Sequence, residues 1–157
     1  MKILAKSDAK IYGAMTIDRA DRFVSPFVKA LFPCLIWDHD RRFANADRSV
    51  LARALLECGC RYAVCGGENC EAWHDAVDEE YVAQHLDDPE DLQAATHVMT
   101  TGHKGESPDD VAFFFVLNTN FHAHDFKCYL VLHIGNGTAK EQVDAAVRKY
   151  ALSKKEV

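Results

Sequence analysis

The chain has 157 residues, 48% apolar and 27% charged; this is enough for one domain with a sizeable core and too hydrophobic for a disordered protein. No apolar run approaches the roughly 18 residues that a membrane span needs, and residues 1–20 carry Asp8 and Asp18 without a long apolar centre, so a cytoplasmic protein is expected. The net charge of −6 conceals an asymmetry: residues 62–125 hold 14 Asp and Glu against a single basic residue, Lys104, a balance that projects a negative field and disfavours direct contact with nucleic acid.

Residues 1–24 mix apolar and lysine positions without a clean period and are read as an N-terminal extension. Ser25-Pro26 has the form of an N-cap and first helical position, which predicts a short helix carrying Phe27, Val28, Ala30 and Leu31 and ended by Pro33. Cys34-Leu35-Ile36-Trp37 is the first strand. Asp47 is expected to cap the next helix, where Val50, Leu51, Ala54, Leu55 and Cys58 recur at helical spacing, and Gly59 is its stop.

The central stretch runs from Arg61 to Asp75: a buried strand at 62–65, the turn Gly66-Gly67, then a helix from Cys70 to about Leu86 with Trp73, Val77 and Tyr81 inward, joined by Val82 and His85. Asp87-Asp88-Pro89-Glu90-Asp91 is an acidic connection in which Pro89 opens a further helical turn. A strand is expected at 97–101, and Ser107-Pro108-Asp109-Asp110 is a strong helix start before the almost wholly apolar run 111–117. The strand 128–134 is the clearest in the chain; Gly135-Asn136-Gly137 turns it into a last helix, capped by Thr138 with Glu141 three residues on. Strand and helix alternate four times, which predicts a three-layer α/β domain: a mostly parallel sheet of four or five strands with helices on both faces.

In such sheets ligands sit beyond the carboxyl ends of the strands. For an enzyme, that rule gathers Asp38, Glu68, Cys70 and His103 as candidate catalytic residues: two carboxylates and an imidazole for acid–base work, and a thiol near a helix start that favours the thiolate. Asp38-His39-Asp40 after an apolar strand resembles the opening motif of haloacid-dehalogenase-type phosphatases, but Arg41-Arg42 departs from that pattern and no later lysine or acidic-pair motif accompanies it. His122 and His124 are candidate metal ligands on one side of an extended segment. Gly135-Asn136-Gly137-Thr138 offers backbone N–H groups to an anion without the lysine of a phosphate loop. No cofactor motif is complete and no cofactor is expected. The six cysteines, in a chain without a secretory leader, are expected to be reduced.

Thr100-Thr101-Gly102-His103, followed by an acidic helix start and Phe113-Phe114-Phe115, resembles small uncharacterised bacterial α/β proteins over about twenty residues. The resemblance implies no activity. Size and charge together favour a non-enzymatic acidic binding protein, such as an inhibitor or immunity protein for a basic, nuclease-type toxin, with Asp75, Asp78, Glu79, Asp87 and Asp88 facing a basic protein partner. A small metal- or thiol-dependent enzyme is the competing expectation.

Overall fold

The computed structural model describes residues 1–7, 9–120 and 124–153. Its strands are β1 (Lys2–Lys6), β2 (Ile11–Ile17), β3 (Phe32–Asp38), β4 (Cys60–Gly67), β5 (Met99–Gly102) and β6 (Cys128–Ile134); its helices are α1 (Asn45–Glu57), α2 (Cys70–His85), α3 (Glu90–Thr96), α4 (Pro108–Leu117) and α5 (Lys140–Ser153), with a 3-10 turn at Ala20–Arg22. The strands form one sheet in the order β1-β2-β6-β3-β4-β5. Only the β1–β2 pair is antiparallel; the other four pairings are parallel.

The sheet therefore has six strands rather than four or five, and residues 1–24 supply the difference. They are a hairpin, not an extension. The pattern of β2 is muted because small Gly13 and Ala14 stand where a strand would ordinarily advertise itself, yet all seven of its residues pair in register with β6. β1 is an edge strand with Lys2, Ile3 and Lys6 exposed, so its local signal is weak. The helix expected over 27–31 is absent. The Ser25 hydroxyl does accept the Phe27 N–H, but Phe27 is buried edge-on to Phe32 at 5.6 Å and Lys29 takes a left-handed φ of 54°. Anchoring one aromatic in the core overrode a local helix start.

Strand parity sorts the interior into two layers. Cys34, Ile36, Ala63, Cys65, Leu130, Leu132 and Ile134 face α1 and α2 in one cluster, around the fully buried Trp73. Leu35, Trp37, Val64, Tyr129 and Val131 face α4 and α5 in the other. Two helix starts follow from their end chemistry. Ser107 accepts the Asp110 N–H through its hydroxyl at the start of α4. Asp47, expected as a cap, lies at the third position of α1 and reaches back to the Ala44 N–H. α5 begins at Lys140, after a turn at Thr138 and Ala139. The inward placement of Val82 does not hold, since it is 53% exposed, and within the apolar α4 Phe113 is 46% exposed, its ring nearly perpendicular to that of Tyr150. No helix among the described residues is long and apolar enough to cross a membrane.

Candidate functional site: a histidine relay at the switch point

The chain leaves β3 for α1 on one face of the sheet and leaves the neighbouring β6 for α5 on the other. Adjacent strands whose connections diverge open a crevice at their carboxyl ends. Parity decides what points into it. Asp38, the last residue of β3, turns toward α2, where Trp73 Nε1–H donates to its Oδ2 at 2.8 Å. His39, one residue on, turns the other way and meets His133 of β6.

His39, His133 and Asp144 form a continuous chain. His39 Nε2 lies 2.9 Å from His133 Nδ1, and His133 Nε2 lies 2.8 Å from Asp144 Oδ1. His133 and Asp144 are wholly buried, while His39 is half-buried. Lys2 from β1 reaches the other carboxylate oxygen at 3.2 Å. Burial works against the Asp144 charge, but the His133 contact and Lys2 outweigh it and hold the carboxyl below its ordinary value. An ionised Asp144 accepts only, so His133 donates through Nε2 and its Nδ1 becomes the acceptor. His39 must then donate through Nε2. In the neutral relay this leaves Nδ1 of His39 as a lone pair on the crevice side. Burial lowers the pKa of His39; His133 and the Lys140 ammonium lower it further, against the pull of Asp40 and Asp38. A neutral, basic imidazole near physiological pH is the result.

The loop after β6 runs past that lone pair with a glycine, so no side chain covers it. A Cβ on Gly137 would stand 2.8 Å from His39 Nδ1. Gly135, with a φ of +73°, lets the loop close on the Asp40–Arg42 pair, where a Cβ would lie 2.4 Å from Asp40 Oδ2. The Arg42 guanidinium, followed by the backbone N–H groups of Asn136 and Arg42, keeps the Asp40 carboxyl below the ordinary range. The loop's capacity for an anion is thus partly taken by a carboxylate of the chain itself.

The four residues marked from the sequence lie at the same end of the sheet without converging. Asp38 is buried and saturated, accepting from Trp73 and from the backbone N–H groups of Asp40 and Arg41; it holds a turn. His103 is buried on the opposite face, against the Phe114 ring, with Nδ1 on Glu106 and Nε2 on Thr101. Glu68 and Cys70 share a separate cleft of about 530 Å³ with Arg41, Glu71, Lys104 and Glu106. The charges of that cleft satisfy one another: Arg41 pairs with Glu68 at 3.0 Å and Lys104 with Glu71 at 3.6 Å. Cys70 itself is buried.

His124 stacks on Phe126, His122 lies outside the described residues, and no cluster of potential metal ligands occurs among those described. Of the partner-facing acids, Asp75, Glu79 and Asp87 are exposed. Asp78 accepts from Thr100 Oγ1 at 2.7 Å, and Asp88 is paired with His85. Sequence reading passed over His133 and Asp144, although a signal existed. His133 interrupts an apolar strand, and Asp144 sits within the stripe of Val143, Ala146 and Val147; a polar residue at each of two core positions demands a partner.

The family model described as a domain of unknown function (DUF7684) matches residues 18–150. No curated protein and no solved structure matches the chain.

Proposed function

The chain belongs to the DUF7684 family, and within it we propose that this protein is a small acid–base enzyme whose proton acceptor is Nδ1 of His39. The observation that supports the reading is the Asp144–His133–His39 chain, buried at its root and open at its tip, in the crevice where sheets of this class take ligands. Nδ1 takes the proton of an attacking water or of an acidic substrate position. The Nε2–H of His39 shifts to His133 Nδ1, so the positive charge comes to rest beside the Asp144 carboxylate, which fixes the tautomer and stabilises the imidazolium without itself being protonated. The proton returns by the same route to the leaving group. The reading needs neither the thiol of Cys70 nor a metal.

The probe is p-nitrophenyl acetate, whose hydrolysis reports an accessible, neutral imidazole. The wild-type rate is expected to rise with pH as His39 loses its proton, and His39→Gln is expected to remove that component while the fold, read by melting temperature, persists. A His39→Gln protein that hydrolyses the ester at the wild-type rate overturns the reading.

A second reading is favoured by one feature of α2. Glu71, Asp75 and Glu79 recur one turn apart on its exposed side, and the ridge continues into the exposed Val82 and Leu86. This fits docking of a basic protein, as an inhibitor of a nuclease-type toxin would require.

A further inference from the structure

We propose that the cavity behind the relay binds a small organic carboxylate, with its head group on Lys140 and its short apolar body against Ala14 and the β2 backbone beside it; as a substrate site this rests on the acid–base reading of His39. The cavity, of about 330 Å³, is walled by His133 and Asp144 together with Lys2, Lys140, Ala14 and Met15. That volume lies at the small end of ligand sites, about 300–1,000 Å³. It exists because β1 runs antiparallel to β2: the register sets Lys2 opposite Ala14 and so carries a lysine from the start of the chain to the carboxyl-end rim of a parallel sheet.

Charge selects the ligand. Among its side chains the cavity holds two ammonium groups and one carboxylate. Lys2 is matched by Asp144 at 3.2 Å, so the Lys140 charge is left over, at the first residue of α5, where the helix dipole adds to its pull on an anion. One surplus positive charge suits a monoanion. A phosphate dianion would set a second negative charge against Asp144 without a cation to meet it. The alternative seat, the backbone of the 135–137 loop, already has its Asn136 N–H on Asp40. Ala14, whose side chain belongs to the α4/α5 layer, gives the rest of the ligand a small apolar wall.

Binding would also tune the base. Lys140 is among the groups that push His39 down, along with burial and His133, while Asp38 and Asp40 push it up. An anion seated on Lys140 cancels part of that push, so His39 becomes a better proton acceptor when the cavity is filled.

The test is a titration of the intact protein with sodium butyrate, followed by backbone amide and histidine NMR shifts, with butyramide as the uncharged control and inorganic phosphate as the competing anion. Butyrate is expected to bind saturably, shifting Met15, Thr16 and Lys140 and raising the His39 pKa, and Lys140→Gln is expected to weaken it about tenfold. No saturation, equal binding of butyramide, stronger binding of phosphate, or unchanged affinity in Lys140→Gln each overturns the proposal. Its failure is separable from that of the enzyme reading: an ester rate that still depends on His39 leaves the base standing without this ligand, whereas saturable butyrate binding with a His39-independent ester rate leaves a carboxylate site without a catalyst.

Discussion

Gly137 and His39 are in a relation that admits no side chain between them: a Cβ on the glycine would sit 2.8 Å from Nδ1 of the imidazole. Its φ is not in the left-handed region, so alanine carries no backbone strain there and its methyl acts by covering the nitrogen. Gly137→Ala is expected to displace the imidazole or the loop and to lower His39-dependent ester hydrolysis by about tenfold to a hundredfold, while a cooperative melt shows that the fold persists. Full activity in that variant would show that Nδ1 is not the working atom.

The lowered pKa of His39 has a consequence for stability. The unfolded imidazole titrates near its ordinary value of 6.5 and the native one below it. In the window between the two, the unfolded state binds a proton that the native state refuses. The stability contributed by neutral His39 is therefore complete above the ordinary value and is lost as pH falls through the window, levelling off below the native pKa. Asp144, held below its ordinary value of 3.8, adds a second loss at lower pH as its carboxylate is forced to protonate. Urea denaturation at a series of pH values should show the first decline in the wild type and not in His39→Gln; the same decline in both would remove the imidazole as its cause.

Asp38 belongs to stability. Asp38→Ala would strip the acceptor from the Trp73 indole N–H and from two backbone N–H groups at the end of β3. A cost of about 2–3 kcal/mol is expected in urea denaturation, the scale of leaving buried donors unpaired. A loss below 0.5 kcal/mol, on the order of a surface substitution, would mean that the turn does not need the carboxylate.

How much of this was readable depends on whether the controlling interaction was local. α2 and α4 were legible because Trp73 and Val77 keep helical spacing and Ser107-Pro108 is a complete start signal. β3, β4 and β6 were legible because their apolar runs are buried on both faces. The hairpin was not: Gly13 and Ala14 carry no apolar signal, and β2 is identified by its partner, β6, more than a hundred residues on. The relay was illegible for a related reason. Asp38 and His39 are neighbours in sequence that point to opposite faces of the sheet, and the position at which β3 ends decides which of them meets residue 133. The candidate set of Asp38, Glu68, Cys70 and His103 respected the correct end of the sheet, but Asp38 and Cys70 lie on the α2 side, and His103, on the relay's face, is engaged by Glu106, Thr101 and the Phe114 ring.

On α2 the acids divide into two kinds, which a pair of variants separates. Asp75→Lys with Glu79→Lys alters exposed charges only, and stability should change by less than about 0.5 kcal/mol per substitution. Asp78→Ala removes the acceptor of Thr100 Oγ1 and should cost about 1 kcal/mol. With a lysine-rich peptide as probe, association with the wild type should slow as salt rises and should be slower still with the double lysine variant. Equal rates for both proteins would leave the α2 face merely solvated.

The thiols should behave as two populations. All six cysteines are free in the structure; Cys34, Cys60, Cys65 and Cys70 are buried, while Cys58 and Cys128 are half-buried. Burial raises Cys34 and Cys65 well above the ordinary thiol value and pushes Cys60 up to about 12. Native alkylation followed by mass spectrometry should label Cys58 and Cys128 first, and reductant should leave the melting temperature within about 2 °C, since losing a native disulfide costs about 2–5 kcal/mol. Early labelling of Cys34 or a large drop under reductant would contradict the packing.

The position of β6 bears on how the chain becomes a protein at all. The strand that joins β2 to β3 is the last one synthesised. Until residues 128–134 emerge, the β1–β2 hairpin and the β3–β4–β5 ribbon have no pairing between them, and each carries an open, apolar edge. Those edges invite pairing with other nascent chains, and closure spans nearly the whole sequence, which makes for slow folding. A ribosome-stalled chain ending before Cys128 should be protease-sensitive and chaperone-bound. Release of the remaining thirty residues should convert both halves to the resistant form together, because one strand completes two interfaces at once.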